Sequence, residues 1–118
     1  MAIYSVSQVV GYLRGFLAQD PLLQDVWIKG EIANLAQPGS GHSYFSLRDS
    51  KTTLRCAMFQ GAVGTDLLSN GEAILAHGKV TIYEARGDLQ LIVDILQAEG
   101  IGELQLKFEQ LKAKLETE

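Results

Sequence analysis

Residues 41–60 have the sequence GHSYFSLRDSKTTLRCAMFQ, in which two alternating stretches flank the turn-forming segment DSKT. Alternation of apolar and polar residues with a period of two is typical of strands with one buried face, so this stretch predicts a β-hairpin. In the first strand Phe45 and Leu47 share one face, while Tyr44 and Arg48 share the other. The hairpin therefore predicts a β fold with aromatic and cationic side chains on its outer surface.

The second strand of the hairpin continues the alternation, with Leu54, Cys56 and Met58 inward and Arg55, Ala57 and Phe59 outward. Two pairing registers are possible between the two strands of the hairpin. A turn at Lys51 and Thr52 places Tyr44 opposite Phe59, and a turn one position earlier shifts each partner by two residues. Both registers keep the same residues on the same face. Asp49 ends the first strand, and we expect its side chain to cap the turn.

Three further segments alternate in the same way, at residues 25–35, 72–84 and 88–96. Their expected inward residues are Val26, Ile28, Ile32, Ile74, Ala76, Val80, Ile82, Leu89, Leu91, Val93 and Ile95. Leu75 faces outward by the same alternation. Gly30 and Gly78 occupy inward positions in mid-strand, where glycine often marks a bulge or a sharp bend. Segments 36–41 and 61–71 are predicted to be loops by composition, the second with at most one helical turn.

Helices are predicted at both ends of the chain. In residues 5–20 apolar side chains recur every three or four positions, which is the helical period. Ser5 and Gln8 have the spacing of a capping box, and Pro21 ends this helix. Residues 102–118 predict a second helix, with an apolar stripe of Leu104, Phe108, Leu111 and Leu115. No capping signal follows that stripe, so we expect this helix to be truncated.

Five strands, two of them with central glycines, predict a mainly β fold: a five-stranded Greek-key barrel with an N-terminal helix and a truncated C-terminal helix. The OB-fold has this strand number and connectivity, and it binds oligonucleotides on the face of its second and third strands. We expect residues 1–22 to pack as a helix on the barrel and residues 23–100 to form an OB-fold nucleic-acid-binding domain. Residues 101–118 would begin a helical connection to a further domain.

The composition limits the chemistry that the chain can perform. The chain has 118 residues, a net charge of −4 and one cysteine, Cys56, so no internal disulfide is possible. It has no secretory signal and no apolar run of the roughly 18 residues that span a bilayer, which predicts a cytoplasmic protein that does not enter membranes. The negative charge argues against a strongly basic nucleic-acid binder, unless the charges are segregated by face.

No catalytic or metal-binding cluster is evident in the sequence. His42 and His77 lie far apart, and no Cys-x-x-Cys or His-x-x-x-His spacing supplies metal ligands. Cys56 points inward while His77 points outward, so they cannot form a nucleophile and its base. His42 and Asp49 lie at opposite ends of one strand and cannot form a catalytic pair. We therefore expect no catalytic residue, metal or cofactor in this chain.

Nucleic-acid binding is the stronger prediction, because aromatic and basic residues interleave at outward positions. These residues are the aromatic Trp27, Tyr44, Phe59 and Tyr83, with Lys29, Arg48, Arg55, His77 and Lys79 among them. Stacking of a base on an exposed aromatic ring contributes about 1–3 kcal/mol to the binding free energy, while cations contact the phosphate backbone of the nucleic acid. Each aromatic could instead cover a flanking helix, and Trp27 is the most open to that alternative because it lies early in its strand.

An ordered set of motifs matches a known family. The motifs are WIKGEIANL, PGSGHSYFSLRD, LRCAMFQ, GKVTIYEARGDLQLIVD and FEQLKAKL. In this order and spacing they resemble the N-terminal domain of the large subunit of exodeoxyribonuclease VII. The resemblance implies an OB-fold that binds single-stranded DNA, followed by a catalytic domain and by a helical region that collects small subunits. It also implies that the DNA-contacting motif corresponds to Arg55 and Phe59, and less closely to Tyr44, Tyr83 and Arg86.

The whole enzyme of that family is a nuclease that degrades single-stranded DNA to oligonucleotides, and its catalytic residues would lie outside this chain. The sequence departs from the family at Gln60, where arginine is usual, and in the loop after it, which has an acid and no base. Both changes predict weak binding by the domain alone. Two alternatives stay open: another nucleic-acid OB module, such as a tRNA anticodon-binding domain, and a subunit-interaction module.

Overall fold

The computed structural model describes residues 1–100 of the chain. In chain order its elements are α1 (Val6–Ala18), β1 (Val26–Ala36), β2 (Ser43–Arg48), β3 (Thr53–Val63), a 3-10 helix (Thr65–Leu67), β4 (Ala73–Tyr83) and β5 (Asp88–Ala98). The N-terminal helix and the five strands are thus confirmed. The helix expected at 102–118, within the connection expected at 101–118, lies outside the described residues.

The five strands form a closed barrel in the order β1-β2-β3-β5-β4, in which β4 pairs again with β1. β3 and β5 are parallel, and the other neighbouring strands are antiparallel. This arrangement confirms the predicted Greek-key OB-fold barrel. Because β5 lies between β3 and β4, outward side chains of all three strands share one surface.

The β2–β3 hairpin has the second of the two open registers, with Tyr44 opposite Ala57. Asp49 caps the turn as predicted. Its carboxylate accepts hydrogen bonds from the backbone N–H groups of Lys51 at 2.8 Å and Thr52 at 2.9 Å. These bonds stabilise the ionised carboxylate and lower the pKa of Asp49. The turn therefore fixes which outward side chains of β2 and β3 lie side by side.

The barrel interior is an apolar core. Its buried members are Ile32, Phe45, Leu47, Cys56, Met58, Ile74, Ala76, Val80, Leu91, Val93 and Leu96. For all of these except Leu96, the inward orientation predicted from alternation is confirmed. Burial raises the pKa of the Cys56 thiol to about 12, so at neutral pH this residue is an uncharged part of the core.

A β-bulge overturns the predicted orientation of Ile95. The β4–β5 register changes between His77, opposite Ile95, and Gly78, opposite Val93. The extra residue in β5 reverses the alternation beyond it. As a result Leu96, and not Ile95, enters the core.

One further orientation, the exposure of two residues and one loop boundary differ from the prediction. Leu89 is inward by alternation but is 53% exposed, because it lies near the end of the barrel where β5 begins. Leu75 and Ala57 are outward by alternation yet only 4% and 1% exposed, so neighbouring parts of the protein cover both. β3 continues through residues 61–63, which are strand and not loop, and the 3-10 helix supplies the predicted helical turn.

Gly30 and Gly78 lie where neighbouring strands approach too closely for a side chain. A Cβ atom on Gly30 would be 2.8 Å from the Cγ atom of Leu47. A Cβ atom on Gly78 would collide with the carbonyl oxygen of Ile92 in β5. The contact between β4 and β5 at the bulge therefore depends on the missing side chain of Gly78.

α1 begins at the predicted capping box. The Ser5 hydroxyl accepts a hydrogen bond from the Gln8 N–H at 3.1 Å, and the Gln8 side chain accepts one from the Ser5 N–H at 2.8 Å. The helix lies beside β4, where the Gln24 side chain donates to the carbonyl oxygens of Leu17 at 3.1 Å and Val80 at 3.5 Å. Its apolar stripe is largely exposed at Val9, Leu13 and Phe16. Polar contacts with β4 thus help to position α1.

Replacing Gly78 by alanine should destabilise the barrel by about 1–3 kcal/mol, because the added Cβ atom forces β5 away from β4. Gly11→Ala is the matched control, since nothing lies within 4 Å of the Cβ position of Gly11. In a helix this change should stabilise the chain by up to about 1 kcal/mol. Urea unfolding measures both variants. Native stability in Gly78→Ala would contradict the close approach of the two strands.

Candidate nucleic-acid interface

The strands β2, β3, β5 and β4 present one continuous outer surface, because each pairs with the next. Two adjacent rows of residues cross this surface: Ser46, Arg55, Gln90 and Thr81, and then Tyr44, Ala57, Ile92 and Lys79. Arg55 and Lys79 lie on either side of β5, in neighbouring rows that are two residues apart along each strand. Their backbones are therefore roughly 12 Å apart, from strand spacings of about 4.8 Å and a rise of about 3.3 Å per residue.

Two cavities lie on this surface, with volumes of about 320 Å³ and 510 Å³. The smaller one is lined by residues that include Asn34, Tyr44, Ser46, Arg55, Arg86 and Gln90. The larger one is lined by residues that include Phe59, Lys79, Thr81, Tyr83, Gln90 and Ile92. Gln90 lines both, so the two cavities adjoin at this residue, and we call them together the groove. Their sizes are within the range of about 300–1,000 Å³ that is usual for ligand sites.

Three aromatic rings of the groove are partly open to solvent. Tyr44, Phe59 and Tyr83 are 39%, 44% and 45% exposed. His42 contacts Phe59 edge to face, with ring centroids 5.2 Å apart. The guanidinium group of Arg86 lies 5.4 Å from the centre of the Tyr83 ring, within the range of a cation–π contact. The rings of Phe59 and Tyr83 are thus held in place while part of their surface can stack on a ligand.

The groove is more basic than the chain as a whole. Within residues 1–100, the side chains of Arg55 and Lys79 form no ion pair. Glu84, an acid at the edge of the larger cavity, is paired with Arg14 at 3.0 Å. Two unpaired cations therefore face the same depression as the exposed rings, an arrangement suited to a polyanion with flat bases.

Two cations of the predicted site lie outside the groove and are held by acids. Arg48 on β2 pairs with Glu31 on β1 at 2.8 Å. Lys29 on β1 lies 3.5 Å from Glu99. The six predicted residues that the structure brings together in the groove are Tyr44, Arg55, Phe59, Lys79, Tyr83 and Arg86.

Trp27 and His77 also lie outside the groove, as cross-strand partners on β1 and β4 with ring centroids 4.9 Å apart. His77 is held between two carboxylates, with Nδ1 2.6 Å from Asp94 and Nε2 2.5 Å from Asp25. Burial by itself would lower the pKa of His77, but the hydrogen bonds and charges of Asp25 and Asp94 outweigh it and raise the pKa. This cluster of Asp25, His77 and Asp94 connects the start of β1 with β4 and with the bulge of β5.

Within residues 1–100, no three His, Cys, Asp or Glu side chains are placed to hold a metal ion. The Nδ1 atom of His42 accepts a hydrogen bond from the Gln60 N–H at 3.1 Å, so this atom is engaged in structure. No helix in the same part of the chain is long and apolar enough to cross a membrane.

Several lining residues of the groove were not predicted as site residues, among them Asn34, Thr81, Gln90 and Ile92. Alternation placed three of them outward but could not place them beside Arg55, because that position depends on the parallel pairing of β5 with β3. Strands so distant in sequence leave no local signal of their pairing. Asn34 has a φ of 54°. An asparagine inside an otherwise regular strand is a local signal for such a conformation.

The model of the OB-fold nucleic acid binding domain family matches residues 4–97, and the chain therefore belongs to this family. Within it, the chain is 46% identical over 118 residues to the exodeoxyribonuclease 7 large subunit of Geotalea daltonii, which confirms the resemblance found in its motifs. That match covers 98% of the chain and 26% of the relative. The chain thus spans about a quarter of the length of the curated relatives that it matches.

Solved structures with low sequence identity share the fold. Asparaginyl-tRNA synthetase from Pyrococcus horikoshii matches with a TM-score of 0.52 and 18% identity, over 68% of this chain and 21% of that chain. A replication protein A heterotrimer bound to single-stranded DNA matches with a TM-score of 0.56 and 11% identity, over 80% of this chain and 74% of that chain. At these identities the likeness concerns the fold alone.

The stability of the domain should depend on pH through His77. A raised folded-state pKa means that this site stabilises the fold fully below the ordinary value of 6.5, and that the contribution is lost as pH rises through the folded-state pKa. As the pH rises from 6.5 through the folded-state pKa of His77, the urea midpoint of the native chain should therefore fall relative to that of His77→Gln. Parallel pH profiles for the two proteins would contradict the carboxylate cluster.

Proposed function

We propose that this domain binds single-stranded DNA in the groove and positions it for exonucleolytic hydrolysis by a part of the protein outside this chain. The observation that carries the proposal is that Arg55 and Lys79, which form no ion pair within residues 1–100, line the groove together with partly exposed aromatic rings. Cations that follow the backbone and rings that stack on bases are the components of sequence-tolerant single-strand binding.

A single strand suits the groove better than a duplex. Tyr44 and Phe59 lie on the neighbouring strands β2 and β3. Bases can reach their rings only when they are unpaired and turned away from a partner strand. Each stacked base then contributes about 1–3 kcal/mol. A duplex would offer its phosphates to the two cations without this stacking.

The choice of DNA rests on the relatives. Two curated relatives, which are 46% and 47% identical to the chain, are by name exodeoxyribonuclease 7 large subunits. Because the chain spans about a quarter of their length, we assign hydrolysis and the binding of the enzyme's small subunits to the remaining part. The role left to this domain is to hold the strand.

The affinity of the domain alone should be modest. The groove offers two unpaired cations, and the chain carries a net charge of −4. Gln60, beside the groove residue Phe59, contributes no charge, and the segment that follows contains Asp66 and no base. Few phosphates are therefore neutralised, and tight binding would need further contacts from the rest of the protein.

The exposed apolar stripe of α1 favours a second candidate role, as a subunit-interaction surface. Val9, Leu13 and Phe16 are between 46% and 62% exposed, which is unusual for the apolar face of an amphipathic helix. Oligomers seen by light scattering, together with no measurable affinity for oligonucleotides, would favour this role over DNA binding.

Phe59→Ala should weaken binding of a fluorescent oligothymidine by about 1–3 kcal/mol, because one stacking ring is lost. Arg55→Gln should weaken binding and reduce the slope of log K against log salt by about 0.7, the value for one phosphate contact of a single strand. Fluorescence anisotropy over a salt series measures both effects.

Arg48→Gln is the matched control, since it removes the same charge from the neighbouring strand at a residue already paired with Glu31. It should leave affinity and salt slope close to native values. If Arg48→Gln weakened binding as much as Arg55→Gln, the groove would not be the binding surface. Tighter binding of oligouridine than of oligothymidine would favour an RNA-binding module instead.

A further inference from the structure

A third cavity lies between α1 and β4, with a volume of about 320 Å³. It continues the groove, because the two share the lining residues Arg14, Lys79, Thr81 and Glu84. The surface depression therefore does not end at Lys79. It turns from the face of the sheet into the space under the helix.

The helical wall of this cavity carries no side chain at two positions. Gly11 and Gly15 line it, and a Cβ atom at either position would meet nothing within 4 Å. Each glycine costs about 1 kcal/mol of helix stability relative to alanine. Opposite them, Thr81 of β4 is partly buried and offers a hydroxyl group.

Charged groups stand where this cavity meets the groove. Lys79 lines both and forms no ion pair within residues 1–100. Arg14 on α1 and Glu84 beyond β4 form an ion pair of 3.0 Å that links helix and barrel. Both members are more than half exposed, so the pair is worth at most about 1 kcal/mol and can open to let Arg14 meet another anion.

We propose that the cavity under α1 is a further nucleotide subsite, which receives the continuation of the single strand bound in the groove. Lys79 binds the phosphate between the two compartments, Thr81 donates to the entering nucleotide, and Arg14 exchanges Glu84 for the next phosphate. This proposal rests on the proposed function. It adds that α1 forms one wall of the DNA path and that Glu84 opposes binding.

The first test blocks the subsite. Gly15→Leu should fill the cavity, whereas Gly15→Ala gives a comparable gain in helix propensity without filling it. Oligothymidines of about 4 and about 12 nucleotides fall within the usual range of OB-fold site sizes. Gly15→Leu should weaken binding of the longer oligomer roughly fivefold or more, by the loss of one nucleotide, and leave the shorter one unaffected. Gly15→Ala, which adds a single methyl group to the same wall, should lose less affinity for the longer oligomer than Gly15→Leu does.

The second test uses the ion pair, whose two members should act in opposite directions. Glu84→Gln should tighten binding of the longer oligomer about two- to fivefold, because an acid beside the phosphates is removed and Arg14 is released. Arg14→Gln should weaken it by a similar factor. Thermal unfolding of each variant checks that the fold is retained.

The outcomes separate this proposal from the proposed function. If the native chain binds neither oligomer, the proposed function fails. If it binds both but Gly15→Leu leaves the longer oligomer unaffected, or Glu84→Gln and Arg14→Gln change affinity in the same direction, the subsite is overturned while the groove stands. Loss of length dependence in Gly15→Leu, with opposite shifts in the two charge variants, supports the subsite.

Discussion

The pairing of β5 with two strands, parallel to β3 and antiparallel to β4, holds the barrel and its groove together. It closes the barrel and brings Arg55 and Phe59 of β3 to the same depression as Lys79 of β4. The pairing with β4 requires a position without a side chain, which Gly78 provides beside the carbonyl oxygen of Ile92. A constraint on backbone packing thus determines which side chains can act together on the surface.

An acidic chain can present a basic groove when its acids are engaged elsewhere. Glu31 is paired with Arg48 beside the groove, and the carboxylates of Asp25 and Asp94 converge on His77 at the far edge of β4. Arg55 and Lys79, which form no ion pair within residues 1–100, remain available for phosphate, whereas Arg86 pairs with Asp88 at 3.7 Å. Net charge is therefore a weak guide to the function of this domain, because association with an anion depends on the local field and not on the sum.

The fold was largely predictable because alternation is a local property of each strand, and burial of one face requires it. The prediction failed at Ile95, where a bulge formed against β4 reverses the alternation. The outward orientation of Arg55 and Phe59 was predictable for the same local reason. The engagement of Arg48 by Glu31 was not, because it depends on the register between β1 and β2. Site residues chosen only because alternation places them on the outer face therefore included positions inside and outside the groove.

An NMR titration of the isotope-labelled chain with oligothymidine would locate the bound DNA. If single-stranded DNA lies in the groove, chemical-shift changes should concentrate at the backbone amides of Tyr44, Arg55, Phe59, Lys79, Gln90 and Ile92. The amides around Trp27 on β1 should stay close to their free positions. Changes centred on Trp27 and the β1 surface, or no changes at high oligomer concentration, would show that the groove is not the binding surface.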